Sequence, residues 1–98
     1  MKSITVQEYK TLLENNADFQ LIDVREPFEY EEANMGGILI PMNEVPDNIG
    51  QFDKTKQVIV QCRSGKRSAS VIQYLESNHG FTNLYNLEGG ILAWLDLA

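Results

Sequence analysis

An α/β domain built around a mainly parallel sheet is the fold class this sequence predicts. Two observations carry the prediction. Short β-branched apolar runs alternate with stretches of helical periodicity from one end of the chain to the other, the pattern of strand-helix-strand units. The most strand-like run, Gln57-Val58-Ile59-Val60-Gln61, is uncharged and passes through a polar, glycine-containing loop into another helical stretch. The 98 residues hold no linker, repeat or low-complexity tract, so one domain over 1–98 is expected. At this length folding buries roughly two-thirds of the unfolded chain's surface, enough for a core without metal or disulfide staples.

Thr5 with Glu8 three residues later forms a capping box, and Val6, Tyr9, Leu12 and Leu13 recur at helical spacing, predicting a helix over 5–15. Phe19-Gln20-Leu21-Ile22-Asp23-Val24 reads as a buried strand. Pro27 suits a first helical position, and Glu26, Glu29, Glu31 and Glu32 favour the positive end of a short helix that Gly36-Gly37 closes. Ile38-Leu39-Ile40 predicts a short strand stopped by Pro41, and 43–52 a further short helix with Pro46 near its start. Beyond the strand at 57–61, Ala69, Val71, Ile72 and Leu75 share one face of a helix over 68–78, which ends at His79-Gly80 where glycine suits a left-handed cap. The last strand is expected over 83–87, and Gly89-Gly90 turns the chain into a helix over Ile91-Leu92-Ala93-Trp94-Leu95.

Fourteen acidic side chains against eight basic ones set a net charge of -6, which disfavours non-specific binding to nucleic acid or to an anionic membrane surface. No apolar run approaches the ~18 residues of a membrane span, and residues 1–7 lack the apolar stretch of a signal peptide. A soluble cytoplasmic protein is expected. The single cysteine, Cys62, excludes an internal disulfide, leaving an inert core thiol or a reactive one.

Cys62-Arg63-Ser64-Gly65-Lys66-Arg67-Ser68 is the segment that carries chemistry. It lies outside the carboxyl end of a predicted strand, where open α/β sheets bind ligands. A loop entering a helix there points backbone N–H groups inward, and the helix adds the positive end of its dipole. Three of the eight basic residues, Arg63, Lys66 and Arg67, fall within it, an expected electropositive trap that lowers the thiol pKa and makes Cys62 a nucleophile. The plain alternative is a small hydrophobe closing a strand. A phosphate-binding P-loop is excluded, because Val60 and Arg67 stand where glycine and Ser or Thr are required. Cysteine-dependent phosphatases place five residues between cysteine and arginine. Here four separate Cys62 from Arg67, a narrower ring better suited to one sulfur atom than to a phosphate group.

With these residues in view the chain resembles a single-domain rhodanese, of the sulfurtransferase family. The matching blocks are Leu21-Ile22-Asp23-Val24-Arg25-Glu26-Pro27 with Glu29-Tyr30, then Ile40-Pro41, the loop at 62–68, and Leu87-Glu88-Gly89-Gly90 followed by Trp94. The resemblance implies a rhodanese-like fold with a five-stranded parallel sheet flanked by helices on both faces. It also implies that Cys62 accepts a sulfane sulfur from thiosulfate, a persulfide or a polysulfide, held as a persulfide by the loop amides. An external thiol, cyanide or protein acceptor then removes it, since no second cysteine is present to do so. The expected partners are therefore a small anionic sulfur donor and that acceptor, with no metal or cofactor. In one block the sequence departs from the family: Ala33-Asn34-Met35-Gly36-Gly37-Ile38 replaces the usual Gly-His-Ile turn and is one residue shorter, which bears on the pocket rim.

Around the loop, Arg63, Ser64, Gly65, Lys66, Arg67 and Ser68 are the expected anion-binding residues, with Gly65 closing the turn without a Cβ clash. Asp23 and Arg25 read either as partners of the active loop or as a structural ion pair. Glu29 to Glu32 read as a solvated helix face, Trp94 as core, and His79 as a helix-terminal side chain without a catalytic part. Two other function classes remain open: a cysteine-dependent phosphatase or arsenate reductase, and a sulfur-carrier or regulatory module for a protein partner.

Overall fold

The computed structural model describes residues 1–97. Strand β1 (Lys2–Ile4) leads into helix α1 (Val6–Glu14), whose capping box forms as predicted: Thr5 Oγ1 accepts from the Glu8 N–H at 3.1 Å, and Glu8 Oε1 accepts from the Thr5 N–H at 2.9 Å. There follow β2 (Phe19–Asp23), α2 (Pro27–Glu32, with the proline at its start), β3 (Ile38–Leu39), and two 3-10 turns (Met42–Asp47 and Ile49–Gln51). Strand β4 (Gln57–Gln61), helix α3 (Lys66–His79), β5 (Leu84–Leu87) and α4 (Gly90–Asp96) complete the order.

The five strands form one sheet in the order β1-β5-β4-β2-β3, and every pairing is parallel. Alternation along the strands then sends side chains to two cores. Ile22, Val24, Val58, Val60 and Leu84 meet Val71, Ile72 and Leu75 of α3 on one face. Leu21, Ile59 and Leu87 meet Val6 and Tyr9 of α1, with Trp94 of α4 packed against them, on the other. Trp94 stands edge-on to Tyr9 with ring centroids 5.4 Å apart, the core role expected of it.

Three local features differ from the sequence reading. Strand β1 has no counterpart there: Lys2-Ser3-Ile4 offers a single apolar side chain, and it is a strand only because the β5 edge supplies partners, with Ile4 opposite Leu87. The helix expected over 43–52 is two 3-10 turns, because Pro46 removes one N–H and its ring obstructs an α-helical carbonyl four residues back. Helix α3 begins at Lys66, two residues early, since Gly65 at φ +105° completes the turn alone and leaves Lys66, Arg67 and Ser68 as the first helical residues. The glycine cap at the other end, Gly80 at φ +67°, forms as predicted.

Candidate active site

Strand β2 leads outward to β3 while β4 leads the opposite way to β5, so a crevice opens where these two neighbours diverge at their carboxyl ends. Arg25 emerges from one side of it and Cys62 from the other. Cys62 is 1% exposed and belongs by contact to the α3-side core, yet its sulfur faces the loop. Gly65 N–H reaches Sγ at 3.1 Å and Ser68 N–H at 3.5 Å, and Ser68 Oγ lies 3.4 Å away. Burial raises the pKa of such a thiol. Here the hydrogen bonds from Ser68 and from the backbone of Gly65 and Ser64 together outweigh it and hold the pKa below the ordinary thiol value.

Both residues that reach the sulfur are held in turn by one side chain from β5. Asn86 Nδ2 donates to the Gly65 carbonyl at 3.1 Å, and Asn86 Oδ1 accepts the Ser68 hydroxyl at 2.5 Å. Helix α4 closes the loop from below: the Ile91 and Leu92 N–H groups donate to the Cys62 and Arg63 carbonyls at 2.9 and 3.2 Å. Gly65 has no neighbour nearer than 3.7 Å to an added Cβ, so its requirement is the positive φ and not the clash expected for it.

The charges are arranged differently from the expected electropositive trap. Arg67 is bound bidentately by Glu29 of α2, with Nη1–Oε1 at 2.7 Å and Nη2–Oε2 at 2.9 Å. The Arg67 guanidinium beside it lowers the Glu29 pKa to about 2. Glu29 is therefore not part of a solvated face, because α2 folds back over the loop. Arg25 grips Asp23 through Nε and Nη2 at 2.8–3.1 Å and also bonds the Glu29 and Ala33 carbonyls. Neither Asp23 nor Arg25 bonds residues 62–68 among the described residues. Their contacts tie β2 to α2, the structural alternative. Arg63 and Lys66 are exposed, without ion-pair partners among the described residues.

Two depressions flank the loop. One of about 90 Å³ is lined by Val24, Glu26, Met42, Asn43 and Arg67, and one of about 140 Å³ includes Arg25, Arg63, Glu29, Glu32 and Leu92. Of the shortened 33–40 segment only Ala33 borders them; Met35, Gly36, Gly37 and Ile38 line a depression against Tyr9 and Leu13 instead. His79 lies at the far end of α3, roughly 20 Å along its axis from the loop, with its ring against Tyr74. Among the described residues no His, Cys, Asp or Glu cluster is placed to hold a metal ion, and no helix is long and apolar enough to cross a membrane.

The Rhodanese-like domain family matches residues 5–97. The chain belongs to the rhodanese family. A rhodanese-like domain protein of Staphylococcus aureus, solved by crystallography, superposes with a TM-score of 0.87 at 40% identity, over 96% of this chain and 91% of that one. YtwF of Bacillus subtilis, whose name carries sulfurtransferase as a provisional assignment, is 37% identical over 96% of this chain and 90% of its own length. A protein of Allochromatium vinosum named sulfurtransferase is 35% identical over 84% of this chain and 77% of its own.

Within this rhodanese domain the sequence reading missed Asn86 as a support of the loop and Glu29 as its counter-charge. Asn86 carries a faint signal, a polar residue inside an otherwise apolar strand just before Leu87-Glu88-Gly89-Gly90. Glu29 stands in the matching block Glu29-Tyr30, but nothing in the chain points to its partner, which lies 38 residues away. Gly90 is a third such residue. A Cβ there would collide with the Cys62 and Arg63 carbonyl oxygens, so the second glycine of the pair is what lets α4 dock under the rhodanese loop.

Proposed function

We propose that this rhodanese domain is a sulfurtransferase that carries sulfane sulfur on Cys62. The observation that carries the reading is the convergence of the Gly65 N–H, the Ser68 N–H and the Ser68 hydroxyl on one sulfur atom at the mouth of the sheet crevice. Names of relatives similar along nearly the whole chain support it. The Cys62 thiolate attacks the outer sulfur of thiosulfate, a persulfide or a polysulfide, and sulfite or a thiol departs. The loop N–H groups then bind the anionic persulfide, charge that develops where donors already point. A thiol or cyanide acceptor removes the sulfur in a second half-reaction, giving ping-pong kinetics. No second thiol exists within these 98 residues to do so. The reaction takes place in the cytoplasm, where a lone thiol stays reduced.

The phosphatase or arsenate reductase reading ranks below this one because the ring between Cys62 and Arg67 is short and Arg67 is already bound by a carboxylate. Incubation with thiosulfate or a persulfide is expected to add one sulfur atom to the intact mass, and Cys62→Ser to abolish the addition. An unchanged wild-type mass with every donor, or Cys62-dependent turnover of an aryl phosphate, overturns the reading.

A further inference from the structure

Of the three cations in the Cys62 loop, Arg67 alone has an ion-pair partner among the described residues. It stands in the first turn of α3 beside Ser68, whose N–H reaches the sulfur. The Glu29 hydrogen bonds are the main cause that raises the Arg67 pKa, and the charge on Cys62 adds to it. A guanidinium so placed matches a small oxyanion bidentately. Glu29 occupies that fork, with Nη1–Oε1 at 2.7 Å and Nη2–Oε2 at 2.9 Å. Helix α2 keeps the carboxylate there although none of its side chains is buried. The Glu26 N–H donates to Glu29 Oε1 at 2.9 Å, Arg25 bonds the Glu29 and Ala33 carbonyls at 3.3 and 2.7 Å, and the Tyr30 hydroxyl donates to the Gly37 carbonyl at 2.7 Å. These ties hold α2 in place over the loop. With its pKa lowered to about 2 by the Arg67 hydrogen bonds, Glu29 is charged wherever Cys62 is a thiolate. An anion that binds Arg67 must therefore displace a resident one, and Glu26 lines the same 90 Å³ depression as a second carboxylate.

We propose, resting on the sulfurtransferase reading, that Glu29 selects by charge what reaches Cys62: as the resident partner of Arg67 it disfavours small anions at the loop and leaves uncharged molecules their access. Glu29 touches no reacting atom and acts through Arg67, as a positioning residue. Exposed Arg63 and Lys66 still draw anions toward the loop, so selection falls at the last contact, where a carboxylate already fills the guanidinium.

The test follows two readings in the wild type, Glu29→Gln, Arg67→Gln and the double variant: thiosulfate turnover with cyanide as acceptor, and alkylation of Cys62 by iodoacetate against uncharged iodoacetamide. Glutamine keeps the side chain's size and an acceptor for the Glu26 N–H. Glu29→Gln is expected to raise the thiosulfate kcat/KM about fivefold through KM, and the iodoacetate-to-iodoacetamide rate ratio about threefold. A changed thiolate fraction or a loosened α2 moves both alkylation rates alike and cancels in the ratio. In the Arg67→Gln background both gains are expected to vanish. A ratio that does not change, or a gain that persists without Arg67, overturns the selection by Glu29 while sulfur transfer stands. A wild type that neither turns over thiosulfate nor takes up sulfur from a persulfide overturns the sulfurtransferase reading, and the alkylation ratio then still decides whether Glu29 selects by charge.

Discussion

Asn86 Oδ1 lies 2.5 Å from Ser68 Oγ, and this contact decides where the hydroxyl proton beside the nucleophile points. The Asn86 amide has one possible orientation, because its Nδ2 donates to the Gly65 carbonyl, which only accepts. Ser68 therefore gives its proton to Asn86 while Cys62 is a thiol, and the S–H turns toward Ser68 Oγ. Toward the thiolate the Ser68 hydroxyl is the donor that lowers the Cys62 pKa.

Ser68→Ala removes one donor from a buried thiolate. Because the Cys62 pKa is held below the ordinary thiol value by hydrogen bonds, their loss moves it upward and reduces the thiolate fraction at neutral pH. A hydrogen bond to a charged group contributes about 1.5 kcal/mol, so iodoacetamide alkylation of Cys62 at pH 7 is expected to slow roughly tenfold. The rate well above the thiol pKa stays as in the wild type. Asn86→Asp shifts the profile the same way, since it sets a carboxylate beside the Gly65 carbonyl and near the thiolate. A profile unchanged in both variants would show that the loop backbone alone controls the thiol.

Asp23→Asn leaves the buried Arg25 guanidinium without its counter-charge, and removing one partner of a buried ion pair costs about 3 kcal/mol. Urea unfolding is expected to show that loss. Cys62 alkylation below the unfolding transition is expected to match the wild type, because Asp23 holds Arg25, and Arg25 bonds the Glu29 and Ala33 carbonyls and not the loop. A slowed alkylation with stability intact would assign the pair to the active loop instead.

Gly90→Ala forces a Cβ onto the Cys62 and Arg63 carbonyl oxygens at a backbone φ of +58°. Collision and strain together are expected to cost about 3 kcal/mol and to lower Tm by more than ~10 °C. Gly36→Ala is the control: its φ is +83° with nothing within 4 Å of the added Cβ, so only the backbone term of about 1 kcal/mol applies. Equal melting temperatures for the two variants would remove Gly90 from the support of the loop.

The fold was legible where local chemistry acts on neighbours in the chain. The Thr5–Glu8 box, the proline at the start of α2, the β-branched run at β4 and the Gly80 cap each form where the residues place them. Where a partner far along the chain decides, the sequence was silent. Strand β1 exists only against β5, and nothing within Lys2-Ser3-Ile4 announces a strand. The helix expected over 43–52, with Pro46 near its start, fails differently: the missing N–H of Pro46 shortens the hydrogen-bonded turn to the 3-10 form.

The sequence by itself determined that the one cysteine ends a buried strand, that a short basic loop with a single glycine follows it, and that helices alternate with strands around both. Only the tertiary structure decided the charge of that site. Arg63, Lys66 and Arg67 lie within five residues of Cys62 in the chain and so read as its electrostatic environment. The folding of α2 back over the loop sets Glu29 against Arg67, and β5 carries Asn86 to Gly65 and Ser68. Charge and hydrogen bonding act over a few ångströms of space, and a linear count of neighbours along the chain does not measure that distance.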